Sequence, residues 1–188
     1  MLNMNNDLFE RLLKEVKKIC GDEPSHGVGH AMRTFDFACR IAKVEGGDIV
    51  VIGAAAILHD IGRENIFGDT GHGLRGAKMA DEVLRDLKAD LDVEKVVEII
   101  GKHDEPGDMA NGGEEPLELS ILRDADRLEL LRISPDYLEL ERLVTDEALR
   151  LVPYVLSLHY PKPKEKWMLD AIEKTKRGAE EILKMRGS

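Results

Sequence analysis

The chain runs to 188 residues, 43% of them apolar, 34% charged and only 4% aromatic. That length buries a core without disulfides or structural zinc, and the mixture favours amphipathic helices over sheet. A formal net charge of −10 argues against DNA, RNA or an anionic membrane as partner, while a small phosphorylated substrate stays open, because one divalent cation and a few arginines reverse the potential inside a cleft.

Asn5 or Asn6 can cap a first helix running through about Cys20, and MLNMNNDLFERLLKEVKK lacks the apolar core and cleavage site of a secretory leader. No stretch reaches about eighteen uninterrupted apolar residues, so the expected location is the cytoplasm. Cys20 and Cys39 form no C-x-x-C pair, which leaves them as reduced core thiols. Gly21 and Pro24 break the first helix, Ser25 offers the next N-cap, and a second helix is expected over roughly 25–45. After Gly46 and Gly47, Asp48 caps IVVIGAAAILHDI, a segment apolar around its whole circumference and therefore a helix at the centre of the molecule, ending near Gly62.

ENIFGDTGHG reads as loop, after which Ala77, Ala80, Leu84 and Leu87 mark one helix and Val93, Val96, Val97 and Ile100 another. The Gly-, Pro- and acid-rich stretch from Asp104 to Pro116 is the longest loop and a candidate lid. A helix follows from Leu117 to about Leu131, Pro135 can open another at its first position, and Met168, Ile172, Ala179 and Leu183 give the last its apolar face. With no internal repeat and no composition shift, the expectation is an all-α fold, a single compact domain of about seven to eight helices over residues 1–188.

The chemistry concentrates in three places. His59 and Asp60 end the apolar run GAAAILHD, where an imidazole and a carboxylate need a compensating partner such as a divalent cation, or else emerge at the surface to satisfy the helix end. Upstream, His26, His30, Arg33 and Phe37 share one helical face, which lets His30 and Arg33 point into one cleft with His26 at its mouth. Downstream, ILRDADRLE carries two aspartates: Asp126 aligns with Leu119, Leu122, Leu130 and Ile133, and Asp124 with Leu117, Ile121, Leu128 and Leu131, so periodicity leaves both as candidates.

HAMRT, LHDIG and DADRLE, in this order over about residues 26–131, resemble the H, HD and D signature of HD-domain phosphohydrolases of the HDIG type. The resemblance implies an HD-domain helical bundle, with the motif-bearing core over about 25–131 and the helices of 134–188 packed on it. It implies metal ligation by His30, His59, Asp60 and Asp126, which selects Asp126 by analogy. His72 in GHGLRGAKMA and His103 in IIGKHDEP are similar to the extra ligands of two-metal members and are candidates for a second metal. Otherwise they serve as a helix cap or phosphate contact and as a buried hydrogen-bonded residue.

Arg63 stands where family members carry lysine or an acid, and it cannot move protons near neutral pH. It is therefore expected to orient phosphate or stabilise charge, with Glu64 as the proton handler, the alternative being that the two form an exposed ion pair at a helix end. No GYP element, phosphate loop or nucleophile elbow accompanies the signature.

A mixed histidine and carboxylate shell suits Mn²⁺, Fe²⁺, Co²⁺, Ni²⁺ or Zn²⁺, one ion with a second to be tested. Arg33 and Arg127 adjoin ligand-bearing motifs and are expected at the reacting phosphate, with Arg75, Lys78 and Lys102 as further substrate-binding cations. The expected activity is hydrolysis of a small phosphorylated metabolite, a nucleotide first, by metal-activated water. The alternatives are a di-iron oxygenase on the same scaffold and a binding module without turnover.

Overall fold

The computed structural model describes residues 2–23, 25–65, 68–105 and 115–187, with side chains from residue 7 onward. Residues 106–114, most of the expected lid, lie outside the described residues. Among the described residues the fold is all-helical: α1 (Leu2–Cys20), α2 (Val28–Glu45), α3 (Ile49–Leu58), α4 (His72–Asp86), α5 (Val93–Lys102), α6 (Leu117–Leu128), α7 (Asp146–His159) and α8 (Lys166–Arg186), with two short 3-10 turns after α6. No described helix is long and apolar enough to cross a membrane.

α3 is the axis around which the rest is built. Asp48 accepts from the backbone N–H groups of Val50 and Val51 at 2.9 and 3.3 Å, satisfying two donors that a helix start otherwise leaves bare. Every residue from Val51 to Leu58 is buried, and α1, α2, α5 and α6 all pack on this helix. Each of its fully buried Val, Ile and Leu side chains contributes roughly 1.5–3 kcal/mol of transfer free energy. α4 lies along α5, and α7 joins α2 and α6 to α8. The apolar residues of α1 to α8 merge into one continuous core.

Where α3 gives way to α4 the backbones touch. A Cβ on Gly62 would stand 2.1 Å from the Gly76 nitrogen and 2.6 Å from the His72 carbonyl oxygen, so only glycine lets the turn after α3 press against the first turn of α4. This contact places His72 beside the end of α3.

Three expected helix starts move. α1 begins at Leu2, with Asn5 and Asn6 inside it, since no proline or glycine interrupts Leu2–Asn6. Ser25 does not cap α2: the Glu23 carboxylate accepts from the Ser25 and His26 N–H groups at 2.9 and 2.6 Å, and Gly27 takes the cap position. Pro135 starts no helix. The chain there forms turns and a 3-10 segment, and α7 begins only at Asp146, where the Thr145 hydroxyl accepts from the Ala148 N–H at 3.3 Å.

Candidate metal centre

Five helix ends converge at one place. His59 follows the last residue of α3, His103 follows the last of α5, His72 opens α4, and Asp126 lies in the last turn of α6, while His30 comes from the first turn of α2. The segment-ending positions arise because Gly62, Gly71 and the turns at 59–62 and 103–105 stop the helices there. The side chains of His30, His59, Asp60, His72 and His103 are all buried.

The histidine rings are oriented from behind. His59 Nδ1 donates to the Ala56 carbonyl at 2.9 Å, His72 Nδ1 to the Asp69 carbonyl at 2.6 Å, and His103 Nδ1 to the Ile100 carbonyl at 2.7 Å. A carbonyl only accepts, so Nδ1 carries the proton in each ring and Nε2 presents a lone pair to the interior. His30 Nδ1 faces the Glu129 carboxylate at 3.2 Å in the same way.

Those Nε2 atoms meet. His30 Nε2 and His59 Nε2 are 3.1 Å apart, and Asp126 Oδ1 lies 3.3 and 3.6 Å from them. Asp60 Oδ2 is 3.6 Å from both. Two lone pairs and two carboxylate oxygens this close repel one another unless a cation or a proton stands among them. The other Asp60 oxygen, Oδ1, faces a second group, 3.3 Å from His72 Nε2 and 3.7 Å from His103 Nε2, which are themselves 3.1 Å apart. Oδ1 is buried and makes no hydrogen bond among the described residues. These donors could hold a metal ion: His30, His59 and Asp126 bring three ligand atoms within 4.8 Å of one another, and so do His59, Asp60 and His103, while Asp60 extends its second oxygen toward the His72–His103 pair.

The family model for the HD domain matches residues 27–131, which contain all six of these residues. The chain belongs to the HD-domain family. Its fold is similar to that of a predicted HD superfamily hydrolase from an uncultured Thermotogales bacterium, at 27% identity and a TM-score of 0.58, over 81% of this chain and 85% of that one. No curated protein matches the chain.

Within this HD domain the electrostatics favour ionised Asp60 and Asp126 carboxylates. Burial pushes the Asp60 carboxyl upward, but its interactions with His59, His103, His26 and His72 outweigh it and hold the group well below the usual carboxylate range. Desolvation likewise opposes ionisation of Asp126, and contacts with His30 and His59 hold it well below that range too. His30 loses by burial and gains more from Asp126 and Glu129, ending at about 9. The Asp126 side chain is 38% exposed, which opens the centre to water on that side.

The other candidates separate into those near the centre and those engaged elsewhere. Arg63 reaches it: Nη2 donates to His72 Nε2 at 2.8 Å and Nε lies 3.2 Å from Asp60 Oδ1. Arg33 stands one step back, its Nε donating to both Glu129 oxygens at 2.9 and 3.0 Å. Glu64 is largely exposed, 3.7 Å from Arg75. Arg75 ties the loop after α3, donating to the Gly62 carbonyl and to Asp69. Lys78 is on the exposed face of α4, and Lys102 pairs with Glu98 on α5. Arg127 donates to the Arg142 carbonyl at 2.9 Å and lies 3.5 Å from Asp124, so its contacts run toward the α7 side.

Asp124 is fully buried but serves a different purpose from Asp126. It accepts from the Val144 N–H, the Thr145 N–H and the Thr145 hydroxyl, fastening the entry of α7 to α6. Glu129 gains a role that the sequence pattern does not give it, and His26, expected at the cleft mouth, gains a partner. Glu129 holds His30, Arg33 and, at 3.6 Å, Arg132; its place in DADRLE, one helical turn beyond Asp126, is the signal that could have found it. His26 donates Nδ1–H to Asp60 Oδ2 at 2.7 Å and lines a cavity of about 240 Å³ with Cys20, Glu23, Asp60, Arg63 and Glu64.

Proposed function

We propose that this chain is a metal-dependent phosphohydrolase for a small phosphorylated metabolite, a nucleotide first, with a divalent transition metal held by His30, His59, Asp60 and Asp126. The observation that carries the reading is the meeting of His30 Nε2 and His59 Nε2 at 3.1 Å in front of two carboxylates, every ring fixed from behind. When bound, the metal would supply Lewis-acid activation of water and of a phosphoryl oxygen. Membership of the HD-domain family and the likeness to a predicted hydrolase support a hydrolytic reaction.

The chain's own residues would do the rest. Asp126, on the solvent side, would orient the attacking water, a role supported by its partial exposure. Arg63 and His26 border the cavity whose floor is Asp60, where a fixed positive charge and an imidazole would receive an anionic phosphate and pass a proton at Nε2. Glu64, on the rim of the same cavity, is a second proton handler, and Arg33 steadies Glu129 rather than reaching substrate. We read residues 1–188 as one HD domain, a reading supported by the Asp124 bonds that join α6 to α7 and by the packing of α7 on α2.

A panel of nucleoside mono-, di- and triphosphates, dinucleoside polyphosphates and simple phosphate esters tests the proposal, with Mn²⁺, Co²⁺, Ni²⁺ and Mg²⁺ supplied separately. At least one compound should be hydrolysed only with added metal. Equal rates for wild type and Asp126→Ala would overturn the assignment. A second reading, oxygen chemistry at a two-iron centre, draws on the His72–His103 pair and the divided Asp60 carboxylate. Iron content with oxygen consumption, and silence on the phosphate panel, would favour it.

A further inference from the structure

Arg63 enters the His72–His103 cluster from the turn that follows α3. His72 Nδ1–H is committed to the Asp69 carbonyl, so the Arg63 Nη2–H takes the Nε2 lone pair, the one position a neutral imidazole has left for a metal. Its Nε faces Asp60 Oδ1 at 3.2 Å, and both atoms are buried without a hydrogen bond among the described residues. Charge meets charge there without a shared proton, as it would with an ion. The Arg63 side chain is only 17% exposed, so its guanidinium stands in a poorly solvated place.

Two lone pairs and one carboxylate oxygen make a cation position, and in this chain a side chain supplies the cation. A dication brought to the same three atoms would have to break the Arg63–His72 bond and lie against a fixed positive charge in a poorly solvated place, which is unfavourable on both counts.

We propose that Arg63 is a built-in cation occupying the second position of the centre, so that this chain binds one metal tightly and the His72–His103 pair accepts a second only when Arg63 is removed. The inference rests on the metal site proposed above at His30, His59, Asp60 and Asp126. It makes His72 and Asp60 the partners of a guanidinium, with His103 against His72, and it keeps a positive charge on the cavity wall beside His26 and Glu64, where an anionic substrate would enter.

The test is metal stoichiometry after loading full-length protein with excess Mn²⁺ and removing loosely held ion. Wild type should retain about one equivalent per chain, Arg63→Met about two, and Arg63→Met with His103→Ala about one again. Electron paramagnetic resonance of the Mn²⁺ forms gives an independent readout: an isolated ion in wild type and an exchange-coupled pair in Arg63→Met. Two tightly held equivalents in wild type, or a coupled spectrum there, would overturn the inference while leaving the first site intact, and so would a folded Arg63→Met that still holds one. Loss of all metal from wild type would instead bring down the metal site itself. Should Arg63→Met fail to fold, the wild-type stoichiometry alone still decides.

Discussion

Glu129 stands directly behind His30, its Oε2 3.2 Å from the ring nitrogen that faces away from the ligand cluster. The same carboxylate accepts from Arg33, and although burial opposes its ionisation, His30 and Arg33 hold it below the usual carboxylate range. The imidazole is thus fixed by a charge on the side away from His59 and Asp126. Glu129→Gln should weaken metal binding about 10- to 100-fold, read by competition with a chromogenic chelator. Arg33→Ala, which leaves Glu129 in place, should cost less; an equal or larger loss would mean that Arg33 itself contacts the centre.

His59→Ala and Asp60→Ala should each lose the bound metal while keeping a helical circular-dichroism spectrum, because α3 is held by Val51 to Leu58 and not by the residues that follow it. Elemental analysis of the purified proteins reads the outcome. Undiminished metal in both variants would remove the proposed site. Asp126→Ala should also reduce turnover of any substrate found by at least about a hundredfold.

The two aspartates of DADRLE should behave in opposite ways. Asp124→Ala strands the Val144 N–H, the Thr145 N–H and the Thr145 hydroxyl in a buried place and should lower stability by about 2–4 kcal/mol in urea denaturation, with metal stoichiometry unchanged. Asp126→Ala should do the reverse. A loss of metal from folded Asp124→Ala would contradict this division.

These aspartates also mark how far the sequence could be read. The central helix and its Asp48 cap were legible because apolar residues run around the whole of α3 and a carboxylate precedes it. On α6 the pattern could not choose, since Leu119, Ile121, Leu122, Asp124, Ala125 and Leu128 are all buried and the helix has hardly an outer face. Arg127 shows the limit of nearness in sequence: one residue past Asp126 is about a hundred degrees around the helix, and its guanidinium meets the Arg142 carbonyl. Arg63 could be flagged as a departure from the family, but its contact with His72 depends on the Gly62 turn and on the approach of α4, which no local pattern encodes.

Cys39 offers a pH test independent of the metal. Burial pushes its thiol up to about 11, whereas an unfolded chain releases that proton near about 8.5. The folded value is the higher, so the contribution to stability is whole below about 8.5 and is lost as pH rises toward 11. Native Cys39 should resist a thiol reagent at neutral pH and react on unfolding, and Cys39→Ala should flatten the alkaline decline in stability. Rapid native labelling at neutral pH would contradict the assignment.

His59, His72 and His103 each donate Nδ1–H to the carbonyl three residues earlier in their own segment, Ala56, Asp69 and Ile100. The tautomer of each ring is therefore settled by a stretch of four residues, before any distant part of the chain arrives. Folding at long range has only to carry three finished rings to one point. Damage to the packing would scatter them without turning them over, and a repaired core would find its donors still facing inward.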